Sequence, residues 1–271
     1  MPFFIVADVT HRASYLRMRI KVTLAYDGRA FEGSQSQAHG NTVQDTIEAA
    51  IELTAKVPVR FHMAGRTDAG VHAMAQCGHF DAPDHLSMNP YNWLPALNAK
   101  LPPTLRVMEC EEVTRDFHSR FSAIGKTYQY RICTLPVMPP MTAGQAWHIP
   151  RLFDADMLTQ ALRSYEGRHD FRCFGAVRGN EMPDMDYHRL ITSATVEAKD
   201  DGYYLTYSGE GFLYRMVRLL TGAAVVVAQG KMSLDQLQSY IDPGDVPFSK
   251  TCPHCAPADG LTLMAVHYPP V

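Results

Sequence analysis

Apolar and polar side chains alternate along the first clearly patterned segment, residues 18–26, which ends in an Asp-Gly pair. This alternation predicts a β-strand closed by a turn. Residues 43–56 instead repeat their apolar side chains every three to four positions, which predicts a helix with Asn41 or Thr42 as its N-cap. Strands over 57–65, 71–81 and 105–113 and a short helix over 91–99 complete a β-α-β-β-α-β-like order.

A second cycle of the same kind follows a charged, aromatic connection over residues 114–125 that has no clear period. It contains a strand over 126–135, a helix over 153–167, a loop over 169–176, a hairpin over 188–210, helices over 214–230 and 233–241, and a strand over 261–268. Antiparallel sheets with helices packed on them are typical of the α+β class. We therefore predict an α+β protein of two similar α/β units with a cleft between them, where ligands commonly bind.

The domain boundaries follow from this pattern. We predict an N-terminal α/β domain over residues 18–115 that carries the catalytic candidate, and a C-terminal α/β domain over 116–271. Residues 1–17 are weakly patterned. Met18 is accordingly a candidate natural start, and the preceding segment is either an artefact of the assigned start or a loosely held, disordered extension.

Composition and charge narrow the class of protein. The chain has 271 residues, 46% of them hydrophobic and 20% charged, and a formal net charge of −3. A nucleic-acid surface must therefore be a local patch, because the whole chain is slightly acidic. The six cysteines stand mostly singly in apolar runs, as expected of a reduced, cytoplasmic protein. The first residues lack a basic start, and their apolar run is too short for a signal peptide or a membrane span.

The segment over residues 64–73 is the main site candidate, because it sets one carboxylate, Asp68, among small residues. Arg66 lies two positions earlier, so in an extended segment both side chains point to the same side and can form a charge pair. Gly65 and Gly70 allow the backbone angles of a tight loop, and the Thr67 hydroxyl can tie the turn. The alternative is a surface turn with a solvated ion pair, which contributes little to stability.

Three further stretches can supply a site around Asp68. Tyr128 and Tyr130 alternate onto one face of a strand, where either can stack on a base. We interpret Tyr130 as a packing residue and Tyr128, which lies nearer the connection, as a functional candidate. Arg218 interrupts the apolar face of its helix and needs an anionic partner there. Residues 115–121 interleave basic and aromatic side chains, as a nucleic-acid surface does.

Other motifs carry weaker signals. Cys252 and Cys255 form a Cys-x-x-Cys pair, which in some proteins is an oxidising dithiol, but no predicted helix follows to stabilise a thiolate. Zinc needs two further ligands, and no second pair has suitable spacing. The histidines form no metal-binding cluster in the sequence, and His72 is of interest only because it lies near Asp68.

Four segments together resemble one family. GRTDAGVHA (65–73), DFHSRFSAIGKTYQY (116–130), GFLYRMVRLLTGA (211–223) and APADGLTLMAVHYP (256–269) are similar to the TruA family of tRNA pseudouridine synthases. The resemblance implies an isomerase without a cofactor or a metal, which converts uridine to pseudouridine in the anticodon stem-loop of tRNA, at positions 38 to 40. It also implies a homodimer whose subunits have two RNA-recognition-like domains.

The resemblance assigns roles to individual residues. Asp68 would be the catalytic carboxylate, Arg66 a helper in base flipping, Tyr128 a stacking partner of the flipped uracil and Arg218 the partner of Asp68. One departure is Ser34, which stands where the family usually has Trp and puts RNA positioning or loop packing there in doubt. The alternatives are a catalytically silent RNA-binding protein of the same fold and a thiol oxidoreductase that uses Cys252 and Cys255.

Overall fold

The computed structural model describes residues 18–86, 88–150, 154–176, 185–244, 247 and 251–270. The proposed extension over residues 1–17 lies outside this part of the chain. The described strands are β1 (Arg19–Tyr26), β2 (His62–Met63), β3 (His72–Asp81), β4 (Leu105–Val113), β5 (Gly125–Cys133), β6 (Trp147–His148), β7 (Gly167–Asp170), β8 (His188–Lys199), β9 (Gly202–Gly209) and β10 (Leu261–His267). The described helices are α1 (Val43–Ala55), α2 (Pro90–Asn98), α3 (Ala155–Arg163), α4 (Met216–Ala228) and α5 (Leu234–Gln238).

One sheet runs through both halves of the chain, in the order β4-β1-β3-β10-β5-β9-β8-β7. The joint between the halves is β10, which pairs parallel with β3 and antiparallel with β5. The α+β class is therefore confirmed. The boundary between residues 115 and 116 and the RNA-recognition-like character of each half stay predictions, since the C-terminal strand lies between the strands of both halves.

Two short pairings divide one edge of β3. β10 pairs with β3 at His72 and Ala73, whereas β2 pairs with β3 at Gly78 and His79. The chain leaves β2 after Met63, which pairs with Gly78, and enters β3 at His72, where the pairing with β10 lies. This arrangement places the segment with Asp68 at the junction of the two halves.

The hydrophobic patterns account for the best-predicted elements. Along β1, Ile20, Val22, Leu24 and Tyr26 are buried and alternate with partly exposed residues. Helix α1 starts after Thr42, whose side chain accepts the Asp45 N–H and thereby pairs one of the free donors of the first turn. The capping prediction is confirmed in its Thr42 form.

Two predicted boundaries are wrong. Of the strand expected over residues 57–65, only His62–Met63 pairs with a neighbour. The Phe61 N–H donates to Glu48 Oε1 (3.0 Å) and its carbonyl accepts from Gln44 Nε2 (3.3 Å), so side chains of α1 take the hydrogen bonds that a sheet would use. Part of the segment expected as a loop over 169–176 is strand, because β7 extends to Asp170 and pairs with β8.

A buried histidine links the sheet to the connection between the halves. His79 on β3 is 2% exposed, and its Nδ1 accepts the Ser119 N–H at 3.2 Å. Burial, followed by the positive charge of Arg19, lowers the pKa of His79 to about 4. The ring is therefore neutral in the folded protein at pH values where an exposed histidine has begun to bind a proton.

We expect acid to destabilise the protein through His79. Between pH 6.5 and about 4 the unfolded chain binds a proton at this position and the folded chain does not, so the free energy of unfolding falls as the pH is lowered through this window. The shift corresponds to a loss on the order of 3 kcal/mol. Urea denaturation of wild type and His79→Asn at several pH values measures the effect. A variant whose stability depends on pH as steeply as that of wild type would contradict it.

Candidate active site

The loop from Ala64 to Val71 holds Asp68 in a fixed turn between β2 and β3. Gly70 has a φ of 81°, in the left-handed region that favours glycine. The Val71 N–H donates to the Asp68 carbonyl at 3.1 Å, which closes the turn. The Thr67 hydroxyl was predicted to tie the turn, but it lies 2.8 Å from the buried Tyr26 hydroxyl and so connects the loop to β1. Residues on both sides of Asp68 thus fix its backbone.

Ser34 holds the same loop from the other side. It is fully buried, its Oγ accepts the Thr67 N–H at 2.7 Å, and its own N–H donates to the Thr67 carbonyl at 3.1 Å. Serine at position 34 put loop packing there in doubt. In this chain the small hydroxyl bonds directly to the residue before Asp68, an arrangement that depends on tertiary contacts 33 residues apart.

Arg218 reaches Asp68 from the first turn of α4. Its Nη1 donates to Asp68 Oδ2 at 3.0 Å, across 150 residues of sequence. Its Nε donates to the Ala256 carbonyl at 2.8 Å, and the Ala256 N–H donates back to the Arg218 carbonyl at 3.0 Å. Both charged side chains are mostly buried, with 15% of Arg218 and 19% of Asp68 exposed. The guanidinium is therefore oriented by the segment before β10 as well as by the carboxylate.

A second cation near Asp68 was not identified from the sequence. Arg215 precedes α4, and its Nε lies 3.9 Å from Asp68 Oδ2. Its backbone is left-handed, with a φ of 59°, a conformation that costs a residue with a Cβ about 1 to 2 kcal/mol. Its side chain is 45% exposed. The sequence could have indicated Arg215 through its spacing. It lies three positions before Arg218 in the helix predicted over 214–230, and residues three apart on a helix share a face.

The two tyrosines of β5 differ in their surroundings. Tyr128 lines the same cleft as Asp68, is 8% exposed and meets Phe212 edge to face at 5.2 Å between ring centroids. Burial raises the pKa of Tyr128, with smaller contributions from Tyr26 and Asp68. Tyr130 is fully buried and its hydroxyl donates to the Pro257 carbonyl at 2.8 Å. Its position is that of a packing residue.

The cleft around Asp68 has a volume of about 820 Å³ and is rich in cations. Seven arginine or lysine side chains line it, against two carboxylates. The cations are Arg60, Arg66, Arg120, Lys126, Arg189, Arg215 and Arg218, and the carboxylates are Asp68 and Glu210. Positive charge is thus concentrated at one place in a chain whose net charge is −3. A nucleic-acid surface on a slightly acidic chain has to be such a local patch.

Two of these cations belong to the Asp68 loop or contact it. Arg66 is exposed in the cleft, and its predicted pairing with Asp68 stays a prediction. Lys126 donates from Nζ to the Ala64 carbonyl at 3.2 Å, and burial lowers its pKa. A Cβ at Gly65 would lie 2.3 Å from this ammonium. A larger residue at position 65 would therefore displace the end of the Lys126 side chain from the Ala64 carbonyl.

Other sequence candidates lie away from Asp68 or lack the expected chemistry. His72 is buried, accepts the Gly28 N–H at Nδ1 (3.2 Å) and lies 3.0 Å from the Gly144 carbonyl at Nε2. The Cys252 thiol is buried, and burial raises its pKa to about 11, which disfavours a thiolate. Within the described ranges, no three His, Cys, Asp or Glu side chains are placed to hold a metal ion, and no helix is long and apolar enough to cross a membrane.

A positively charged cleft around an ion-paired carboxylate and a buried tyrosine is the kind of site that an enzyme acting on a nucleic acid needs. Comparison with known proteins identifies the class. The model of the tRNA pseudouridine synthase family matches residues 23–122 and 161–269. The chain belongs to this family, whose members are isomerases.

Curated relatives agree with the family assignment. The chain is 48% identical over 254 residues to tRNA pseudouridine synthase A of Akkermansia muciniphila, covering 93% of this chain and 95% of that protein. It is 39% identical to tRNA pseudouridine synthase A of Methylacidiphilum infernorum, covering 92% and 95% of the two chains. It is 34% identical to tRNA pseudouridine synthase A 2 of Clostridium perfringens, covering 92% and 99%.

We expect Ser34→Ala to loosen the Asp68 loop. The change leaves the buried Thr67 N–H without its hydroxyl acceptor, which costs about 1 to 3 kcal/mol of unfolding free energy. Thermal or urea denaturation measures the loss. Ser239→Ala removes an exposed hydroxyl that does not line the cleft and should change stability by less than about 0.5 kcal/mol. Equal effects of the two variants would show that Ser34 does not hold the loop.

We expect Arg218→Met to lower the rate of pseudouridine formation by about 100-fold or more, because a charged donor that orients the carboxylate is lost. Arg218→Lys should recover part of the rate, since it keeps the charge but cannot bond to Asp68 and Ala256 with the same geometry. Single-turnover rates at saturating tRNA measure both. Arg163→Gln, an exposed change on α3, is the control. Wild-type rates in Arg218→Met would contradict the assigned contact.

Proposed function

We propose that this protein converts uridine to pseudouridine in the anticodon stem-loop of tRNA, at positions 38 to 40, with Asp68 as the catalytic carboxylate. The single observation that carries the proposal is the meeting of Asp68 and Arg218 in one positively charged cleft. The family assignment and the names of the relatives support the reaction, and the charge of the cleft supports an RNA substrate.

The reaction suits a site built around one carboxylate. The N1–C1′ bond of the nucleoside breaks, the uracil turns, and a C5–C1′ bond forms while C5 loses a proton and N1 gains one. Product and substrate contain the same atoms, so the conversion needs no oxidant or reductant. A carboxylate can assist as a nucleophile towards the sugar or the ring, or in removal of the base, as carboxylates do at other glycosidic centres.

The charges around Asp68 prepare it for this role. A carboxylate that is 81% shielded from solvent requires compensating charge, and Arg218 and Arg215 provide it at 3.0 and 3.9 Å. Both cations contact Oδ2.

The target uridine has to leave its stack before it reaches Asp68. Flipping a base costs a few kcal/mol, and stacking on an aromatic ring returns about 1 to 3 kcal/mol. Tyr128 is one of the rings that line the cleft, and it lies close enough to Asp68 for the carboxylate to help raise its pKa, so we assign it the stacking role. Arg66 is exposed on the same loop as Asp68, and we assign it the role of helping the base to leave the helix.

The other proposed properties rest on the family resemblance. We propose that the enzyme is a cytoplasmic homodimer that needs no cofactor. The alternative of a catalytically silent RNA-binding protein is not supported, because the relatives are named as synthases. The burial of Cys252 argues against the thiol oxidoreductase, since only a thiolate reacts.

The test follows the proton that the reaction releases. Unmodified tRNA whose uridines are tritiated at C5 should lose tritium to water with wild type and not with Asp68→Asn, which keeps the shape of the side chain but not its charge. Mapping of pseudouridine then identifies the modified positions. An inactive wild type would overturn the function. An active Asp68→Asn would overturn the role of Asp68 alone.

A further inference from the structure

One exposed aromatic side chain stands at the rim of the cleft. Phe121 is 76% exposed. Among the large hydrophobic side chains exposed in the described part of the chain, it is the one that lines the cleft around Asp68, whereas Tyr91, Val137 and Met141 lie elsewhere. Single exposed apolar side chains are common on protein surfaces, so the surroundings of Phe121 decide whether it serves a ligand.

The backbone beneath Phe121 is held by the ring of His118. Nδ1 of His118 accepts the N–H groups of Arg120 at 3.1 Å and Phe121 at 3.4 Å. Ser122 closes the turn twice, because its N–H donates to the His118 carbonyl (2.8 Å) and its Oγ accepts the His118 N–H (2.9 Å). The turn that carries Phe121 is thus ordered before any ligand arrives, which reduces the entropy cost of binding.

The Phe121 ring is the outermost member of a group of packed rings. Its centroid lies 4.4 Å from that of His118, with 35° between the planes. His118 contacts the buried His79 at 4.7 Å, and His79 stacks on His62 at 5.1 Å. The contact with His118 restricts the orientations open to the phenyl ring.

A cation accompanies the exposed ring. The guanidinium of Arg120 lies 5.8 Å from the Phe121 centroid, and Arg120 lines the cleft too. An aromatic face beside a cation is the combination that binds unpaired nucleotides, in which the base stacks and the phosphate pairs with the charge. The cleft volume of about 820 Å³ lies at the upper end of the range for small-molecule sites, about 300 to 1,000 Å³, and leaves room for more than one nucleoside.

We propose that Phe121, packed on His118, is a stacking platform for an unpaired base next to the target uridine, and that Arg120 pairs with the phosphate of that nucleotide. The proposal rests on the function proposed above, because it takes tRNA as the ligand of the cleft. It deepens that function by adding a second nucleotide subsite, which holds the neighbour of the uridine while the uridine itself reaches Asp68.

Substitutions at position 121 test the aromatic face. Phe121→Ala should raise the Kd for tRNA by about 5- to 150-fold, the loss of one stacked base. Phe121→Trp should bind as wild type, and Phe121→Leu, which is apolar but not aromatic, should bind like Phe121→Ala. Tyr91→Ala removes an exposed aromatic ring outside the cleft and is the matched control.

The salt dependence of tRNA binding distinguishes the contribution of the Phe121 ring from that of the Arg120 cation. Stacking releases no counterions, so Phe121→Ala should leave the slope of log Kd against log salt unchanged. Arg120→Gln should reduce the slope by about 0.7 to 0.9, the value for one phosphate contact. A 2-aminopurine placed next to the target uridine should be quenched on binding to wild type and less so on binding to Phe121→Ala.

Several outcomes would overturn the proposal. Wild-type affinity in Phe121→Ala, full rescue by Phe121→Leu, or a changed sedimentation coefficient that reveals Phe121 as a subunit contact would each do so. The behaviour of wild type distinguishes failure of the proposed function from failure of the Phe121 platform. A wild type that binds and modifies tRNA while Phe121→Ala equals it removes the platform alone, and a wild type that does neither removes both.

Discussion

The ion pair between Asp68 and Arg218 is the constraint on which the site depends. A carboxylate that is mostly withdrawn from water requires a cation, and an arginine at the start of an apolar helix requires an anion. The pair satisfies both requirements at 3.0 Å. Since Arg218 also bonds to Ala256 in both directions, the contact joins the Asp68 loop, α4 and the segment before β10. Displacement of the loop or of α4 would leave a partly buried charge without its partner, and displacement of the segment before β10 would remove the acceptor of the Arg218 Nε.

The sheet makes this meeting possible. β10 is the last strand in the sequence but lies between β3 and β5, so the C-terminal segment enters the middle of the molecule and carries Ala256 to α4. The two short pairings along β3 leave the Asp68 loop at the same junction. The position of β10 between the two halves therefore determines both the continuous sheet and the location of the site.

The distribution of charge connects the structure with an RNA ligand. The chain is slightly acidic as a whole, yet arginine and lysine side chains from both halves line one cleft. Their fields add inside a cleft with low-dielectric walls, which attracts a polyanion to the place where the carboxylate acts. Packed rings at Tyr128 and Phe121 supply apolar faces within the same space. Charge brings the RNA, and the rings give individual bases a surface on which to stack.

Elements whose patterns are local could be predicted from the sequence. The alternation along β1, the helical repeat and Thr42 cap of α1 and the hairpin of β8 and β9 were predictable because neighbouring residues decide them. The candidates Asp68, Arg66, Tyr128 and Arg218 were also found in the sequence, and they line one cleft.

The contacts between distant groups depend on the tertiary structure. It replaced most of the strand predicted over 57–65 by hydrogen bonds to α1, turned His72 towards Gly144, and bonded Ser34 to Thr67. It also placed Arg215, in a left-handed conformation, beside Asp68. Such contacts join segments far apart in the chain, so their energies depend on packing that no local pattern records. The sequence thus supplied the charged residues, and the fold determined the partner of each.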